Sequence, residues 1–192
     1  MKKLLALLMA VVMLLSFAAC GGSDEDDEDG KKSSGKANSV ESAVAIAEEV
    51  MNGNVKNLKK MIPDAVWDAR EEESGDEFDE QYQEYEDSYK ERAEDLKEDF
   101  GEDTEVKLSV EDKEDMSEEE LEKAKAALED TYDIDPDDVK AGCHFTMVTK
   151  YKNTDDDVED DENEMSAIQI GSSWYLVDIS EYEDEYYVYF VA

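Results

Sequence analysis

Apolar positions recur along this chain with two different periods, and the switch between them falls just after residue 100. Before it the spacing is helical. Val40, Ala43, Val44, Ala47, Val50 and Met51 advance by threes and fours, which predicts an amphipathic helix, with Asn38 and Glu41 spaced as a capping box and a stop near Gly53. A second short helix is expected over 55–62, where Pro63 forbids continuation, and Trp67 follows in a turn or helix start. A third runs over 76–100: Phe78, Tyr82, Tyr85, Tyr89, Ala93, Leu96 and Phe100 form one stripe, nearly every other position is charged, and Gly101 closes it.

After the switch the period is two. Thr104, Val106, Leu108 and Val110 alternate with Glu105, Lys107 and Ser109, the pattern of a strand with one buried face. Ser117 and Glu120 form a capping box that opens a helix with Leu121, Ala124, Leu128 and Tyr132 on one face, ended by Asp135 and Pro136. A long strand is expected over 139–151, with Val139, Ala141, Cys143, Phe145, Met147 and Tyr151 on one face and Lys140, His144, Thr146, Lys150 and Lys152 on the other. Strands over 165–170 and 174–179 flank a turn at Gly171-Ser172-Ser173. The tail 186–191 has strand propensity, but no turn residues say where it pairs. Helices first and hairpin strands afterwards make an α+β fold, with helices packed on one face of a curved antiparallel sheet of about four strands.

The beginning of the chain follows neither period. Lys2 and Lys3 precede an apolar run and the small residues Ser16, Ala18 and Ala19, the layout of a secretory signal. The uncharged stretch 4–19 would reach about 24 Å as a helix, short of a hydrocarbon core of about 30 Å. Phe17-Ala18-Ala19-Cys20 resembles the lipobox of bacterial lipoprotein signal peptides. That resemblance implies cleavage before Cys20, lipid on its sulfur, and anchoring at the extracytoplasmic face of the cell membrane. Ser16-Phe17-Ala18 also suits ordinary signal peptidase, which would release the chain instead. The expected organisation is a signal peptide over 1–19, a lipidated cysteine and acidic flexible tether over 20–38, and one domain over 39–192. As a neutral coil the tether would span roughly 22 to 25 Å, and self-repulsion lengthens it.

Ala47-Glu48-Glu49-Val50-Met51-Asn52-Gly53-Asn54-Val55-Lys56-Asn57-Leu58, ending at Ile62-Pro63, resembles the opening of small lipoproteins of unassigned function with a cystatin-like cone, the nuclear-transport-factor-like fold. Gly171-Ser172-Ser173-Trp174-Tyr175-Leu176-Val177-Asp178 is similar to the closing hairpin of that group. The resemblance implies a cone of helices on a bent sheet.

Charge narrows the partners. The chain carries −37, and removing Lys2 and Lys3 with the signal takes this to −39. Such a surface repels nucleic acid and anionic headgroups, leaving as partners the membrane through lipid on Cys20, a basic protein, peptide or cell-wall component, and weakly held divalent cations. With Cys20 lipidated, Cys143 has no second thiol for a disulfide or a thiol-rich metal site. Cys143 and His144 are adjacent, which suggests nucleophile and base, but neighbours in a strand point to opposite faces. Cys143 reads as a core residue and His144 as surface or pocket lining. The stretch 153–164 places oxygen-bearing residues at the first, third, fifth, ninth and twelfth positions of a calcium loop. Val158 stands where that loop needs Gly, so a solvated hairpin loop is the preferred reading. The aromatic stripe of 76–100 reads as core in preference to a ligand groove. Catalytic residues, cofactors and designed metal sites are not expected. The function expected is a lipid-anchored, non-enzymatic binding or interaction module at the bacterial cell envelope. The alternative is a small cone-fold enzyme or ligand carrier outside the cell.

Overall fold

The computed structural model describes residues 36–75, 78–152, 159–182 and 185–191. Among them the elements follow in the order α1 (Val40–Met51), α2 (Asp64–Ser74), α3 (Phe78–Phe100), β1 (Glu105–Asp115), α4 (Glu118–Tyr132), β2 (Val139–Lys152), β3 (Glu159–Ile170), β4 (Ser173–Tyr182) and β5 (Glu185–Phe190). Short 3-10 segments occupy Val55–Lys60 and Pro136–Asp138. The fold is α+β, and the strands form one antiparallel sheet in the order β1-β2-β3-β4-β5.

The helices begin and end where backbone chemistry requires, with one shift from expectation. The box at α1 is made by Ser39 and Ser42, not Asn38 and Glu41: the Ser42 N–H donates to Ser39 Oγ (3.2 Å) and the Ser39 N–H to Ser42 Oγ (2.8 Å). Both frames offer box-competent side chains, and the serine pair leaves Glu41 free to meet Lys113 on β1 at 2.9 Å. The buried face of α1 is also wider than its stripe, taking in Ile46 and leaving Met51 half-buried. Gly53 takes a positive φ of 87°, and a Cβ there would already touch the Ala93 side chain of α3 at 3.4 Å. The 55–62 stretch is a single 3-10 segment without a side-chain cap, and Trp67 lies within the helix that Pro63 introduces. At α4 the Ser117–Glu120 box forms as predicted.

The sheet departs from expectation in three places. β2 pairs out of step with β3 between Val139 and Ala141, so Val139 is not in phase with Cys143, Phe145 and Met147, and Ala141 is only half-buried. Gly142 lies just beyond this bulge, and a Cβ on it would run into the Met116 thioether. β3 starts six residues before the predicted 165, because the acidic stretch 159–164 continues the ladder along β2, with Asp161 opposite Thr149 and Asp160 opposite Lys150. The sheet has five strands instead of about four, since the tyrosine-rich tail pairs with β4, Val177 opposite Phe190 and Ile179 opposite Val188.

Helices cover both faces of the sheet, not one as expected: Cys143 faces the cavity beneath α1, and His144, on the opposite face, meets Glu120 of α4. Ile46 and Val50 of α1, with Leu58, Ile62 and Val66, are buried in one cluster with Phe145, Ile168, Val177 and Phe190 of the sheet. On the other side of Phe190, Tyr132 of α4 meets its ring edge-on at 5.4 Å. Ala37 is buried as well, and its carbonyl accepts from the Trp174 N–H at 2.8 Å. Side chains of α1 also run along β1: the Val106 N–H donates to Asn52 Oδ1 and Asn52 Nδ2 donates to the Val106 carbonyl, both at 2.8 Å, while the Leu108 N–H donates to Glu48 Oε2 at 2.8 Å.

Candidate functional site

Cys143 and His144 do point to opposite faces. Cys143 stands opposite Ala167, is 1% exposed, and has its thiol pushed up by burial, the condition of an inert core cysteine. His144 stands opposite Ser166, which sequence reasoning did not single out, and also meets Glu120, which the sequence showed only as a capping residue. Its Nδ1 is hydrogen-bonded to Ser166 Oγ at 2.9 Å, and its Nε2 lies 3.6 Å from Glu120 Oε1. Serine, histidine and carboxylate thus fall in a line drawn from β3, β2 and α4.

The geometry fits a strap better than a nucleophile. Ser166 is only 7% exposed. Glu120 is committed to the α4 cap, accepting from the Ser117 N–H at 2.8 Å and from Ser117 Oγ at 2.7 Å, and these bonds hold its carboxyl below the usual range. A reacting serine needs room for substrate beside its oxygen. What this line does is tie the first turn of α4 to the middle of the sheet. Only strand register brings His144 and Ser166 together, so no spacing rule in the sequence would have found them.

A cavity of about 130 Å³ opens beneath the start of α1, lined by Asn38, Ser39, Val40, Lys113, Asp115, Cys143 and Trp174. Ligand pockets for drug-sized molecules run from about 300 Å³ upward. At its rim the Lys113 ammonium donates to Glu41 and holds that carboxyl down to about 2 from its ordinary 4.5. Because the folded value is below the unfolded one, this pair stabilises the fold above about pH 4.5 and the contribution is lost as pH falls toward 2. Both side chains are largely exposed, so solvent screening keeps the contribution small. Lys113→Met is therefore expected to lower unfolding free energy slightly at pH 7 and not at all near pH 2. Urea titrations at both values check this, and an equal loss at the two would mean that Lys113 acts through packing.

The aromatic stripe of α3 turns inward as expected. Tyr89 and Ala93 are buried, while Phe78 and Tyr82 close around Trp67 of α2 at 6.1 and 5.4 Å between ring centres. Partial burial and the nearby Glu86 push the Tyr82 phenol up to about 12. Phe100 ends the stripe stacked on Tyr151 of β2 at 5.5 Å. Two cations lie against these rings: Lys59 is 4.8 Å from the centre of Tyr82, and the Arg70 guanidinium is 5.1 Å from Trp67 and 5.9 Å from Tyr85.

Of the stretch that matched a calcium loop, the described half is strand and not loop. The first six residues of the stretch, 153–158, lie outside the described residues, but its second half rises about 3.3 Å per residue where a calcium loop must curl back. Among the described residues no three His, Cys, Asp or Glu side chains are grouped so as to hold a metal. Residues 1–19, where a signal peptide is expected, and Cys20 also fall outside the described residues. Compared with protein-family models, curated proteins and solved structures, the chain matches none.

Proposed function

We propose that this chain is an exported lipoprotein whose acylated Cys20 and acidic tether hold a non-enzymatic binding module outside the cell membrane. We read the bend of helices over the sheet as a cystatin-like cone. The observation that carries the reading is that both faces of the sheet are filled: Phe145 on one face and Ile168, Val177 and Phe190 on the other are buried in one cluster with Ile46, Leu58 and Val66. Recognition then falls to the surface, which is strongly acidic and suits a basic protein, peptide or cell-wall partner. The alternative, a small enzyme, would draw on the line Glu120, His144, Ser166.

The test is equilibrium binding of the mature chain to purified cell walls and to a Lys/Arg-rich peptide at two salt concentrations. Binding to at least one, weakened by salt, is expected. Binding to neither would remove the interaction reading. Hydrolysis of simple esters that disappears in Ser166→Ala would favour the alternative.

The same charge governs stability. With −39 on the mature chain, repulsion opposes compaction, and exposed charges beyond about 8 Å are screened at physiological salt. Thermal midpoints are expected to rise with sodium chloride, and further with millimolar calcium or magnesium at matched ionic strength. A designed calcium site would instead saturate at low concentration and discriminate strongly between the two ions. Flat midpoints across all conditions would show that repulsion is not a significant term in this fold.

A further inference from the structure

Arg70 stands out in a chain with 56 acidic residues. It is the buried cation among the described residues, only 9% exposed, and its Nε is fully buried with no hydrogen-bond partner. No carboxylate of the described residues lies within ion-pairing distance of it. Its immediate surroundings are aromatic: the rings of Trp67 and Tyr85 lie against the guanidinium. Tyr132 of α4 is close enough for its phenol to feel the charge. Three helices therefore converge on a cation that they do not neutralise.

A guanidinium stays protonated at any pH the protein meets, and burying one unpaired is unfavourable. Ring faces offset part of that cost through their quadrupoles, but they accept no hydrogen bonds in the guanidinium plane. The unmet requirement is for an oxyanion in that plane, which a carboxylate satisfies with two parallel bonds. The rest of the surface restricts what can carry it, because a polyanion would be repelled by a chain at −39. A single carboxylate on a neutral or cationic body meets both conditions, and the flanking rings suit an apolar group beside it.

We infer that the junction of α2, α3 and α4 around Arg70 is a carboxylate-binding site, taking the free C-terminus of a neutral or cationic peptide between the rings of Trp67, Tyr85 and Tyr132. This rests on the reading of the domain as a binding module and names the part of it that recognises a peptide end. It fails separately from that reading, since loss of wall binding or of anchoring would leave the following titration unchanged.

The experiment uses the mature chain with Cys20→Ser, labelled with nitrogen-15, and follows the Arg70 Nε–H resonance, assigned by its loss in Arg70→Met. The probes are the tripeptide Lys-Ala-Phe with a free carboxylate, the same tripeptide as its C-terminal amide, and inorganic phosphate. A saturable shift is expected with the free carboxylate, at least about ten-fold tighter than with the amide, and weakened about ten-fold in Arg70→Lys, which keeps the charge and loses the fork. Equal affinity for acid and amide, or no saturable shift, overturns the site. Tighter binding of inorganic phosphate overturns the carboxylate assignment in favour of phosphate esters. Without ligand, Arg70→Met is expected to melt no lower than the parent, since it removes an unpaired buried charge. A fall of more than about 5 °C would make Arg70 a packing strap between helices and overturn the proposal.

Discussion

Replacing Cys20 with Ala is expected to move the processed protein from the membrane fraction to the medium, or to leave an uncleaved precursor behind. On the proposed reading the effect is close to all-or-none, because the lipid would hang on a single sulfur. Each buried methylene of an acyl chain contributes about 0.8 kcal/mol, so two or more chains hold the protein and none does not. After Cys20 the sequence runs through six consecutive acids, Asp24 to Asp29, which an anionic membrane surface would repel. Among the described residues no helix is long and apolar enough to cross a membrane. Fractionation of cells expressing Cys20→Ala decides the matter: processed Cys20→Ala protein retained with the membrane would remove the lipoprotein reading.

Phe190→Ala is expected to cost about 3 to 5 kcal/mol, a large part of a typical domain's stability. The ring is almost fully enclosed, edge-on to Tyr132 of α4 at 5.4 Å and to Tyr175 of β4 at 6.0 Å. Its removal leaves a void shared by two layers that neither can close by itself. Tyr182, at the far end of β4 and 66% exposed, is the matched control, and Tyr182→Ala is expected to stay within about 0.5 kcal/mol of the parent. Urea unfolding of the pair reads both. If the two variants lose similar amounts, the tail does not complete the core and the five-strand sheet is wrong at its last member.

That tail also shows where sequence reading stopped. Its strand propensity is plain, but the pairing of Tyr182 with Glu185 is announced by no Gly, Asn or Pro in the sequence between them. β1 was legible because Val106, Leu108 and Val110 alternate against a polar face. The first half of β3 was not, because 159–164 is nearly all acid and takes its extended form from the partner strand. The α1 cap shifted by one residue because serines at 39 and 42 form a box that the sequence could not rank above Asn38 and Glu41. At the level of sites, adjacency told the faces of Cys143 and His144 correctly, since it depends only on the strand period. Ser166, Glu120 and the solitude of Arg70 depend on register and helix packing, and in sequence Arg70 is one cation in a helix of acids.

The Asn52 amide bonds both backbone groups of Val106 much as a sixth strand would, and Glu48 occupies the next N–H along. That rim of the sheet is thereby denied to other chains as a template, and beyond it the ladder breaks where Asp112 turns to a positive φ of 46°. Growth of the sheet from copy to copy is closed off along Val106 and Leu108 by one side chain of α1 and one of its C-cap, so copies held close together can stay separate without relying on charge alone.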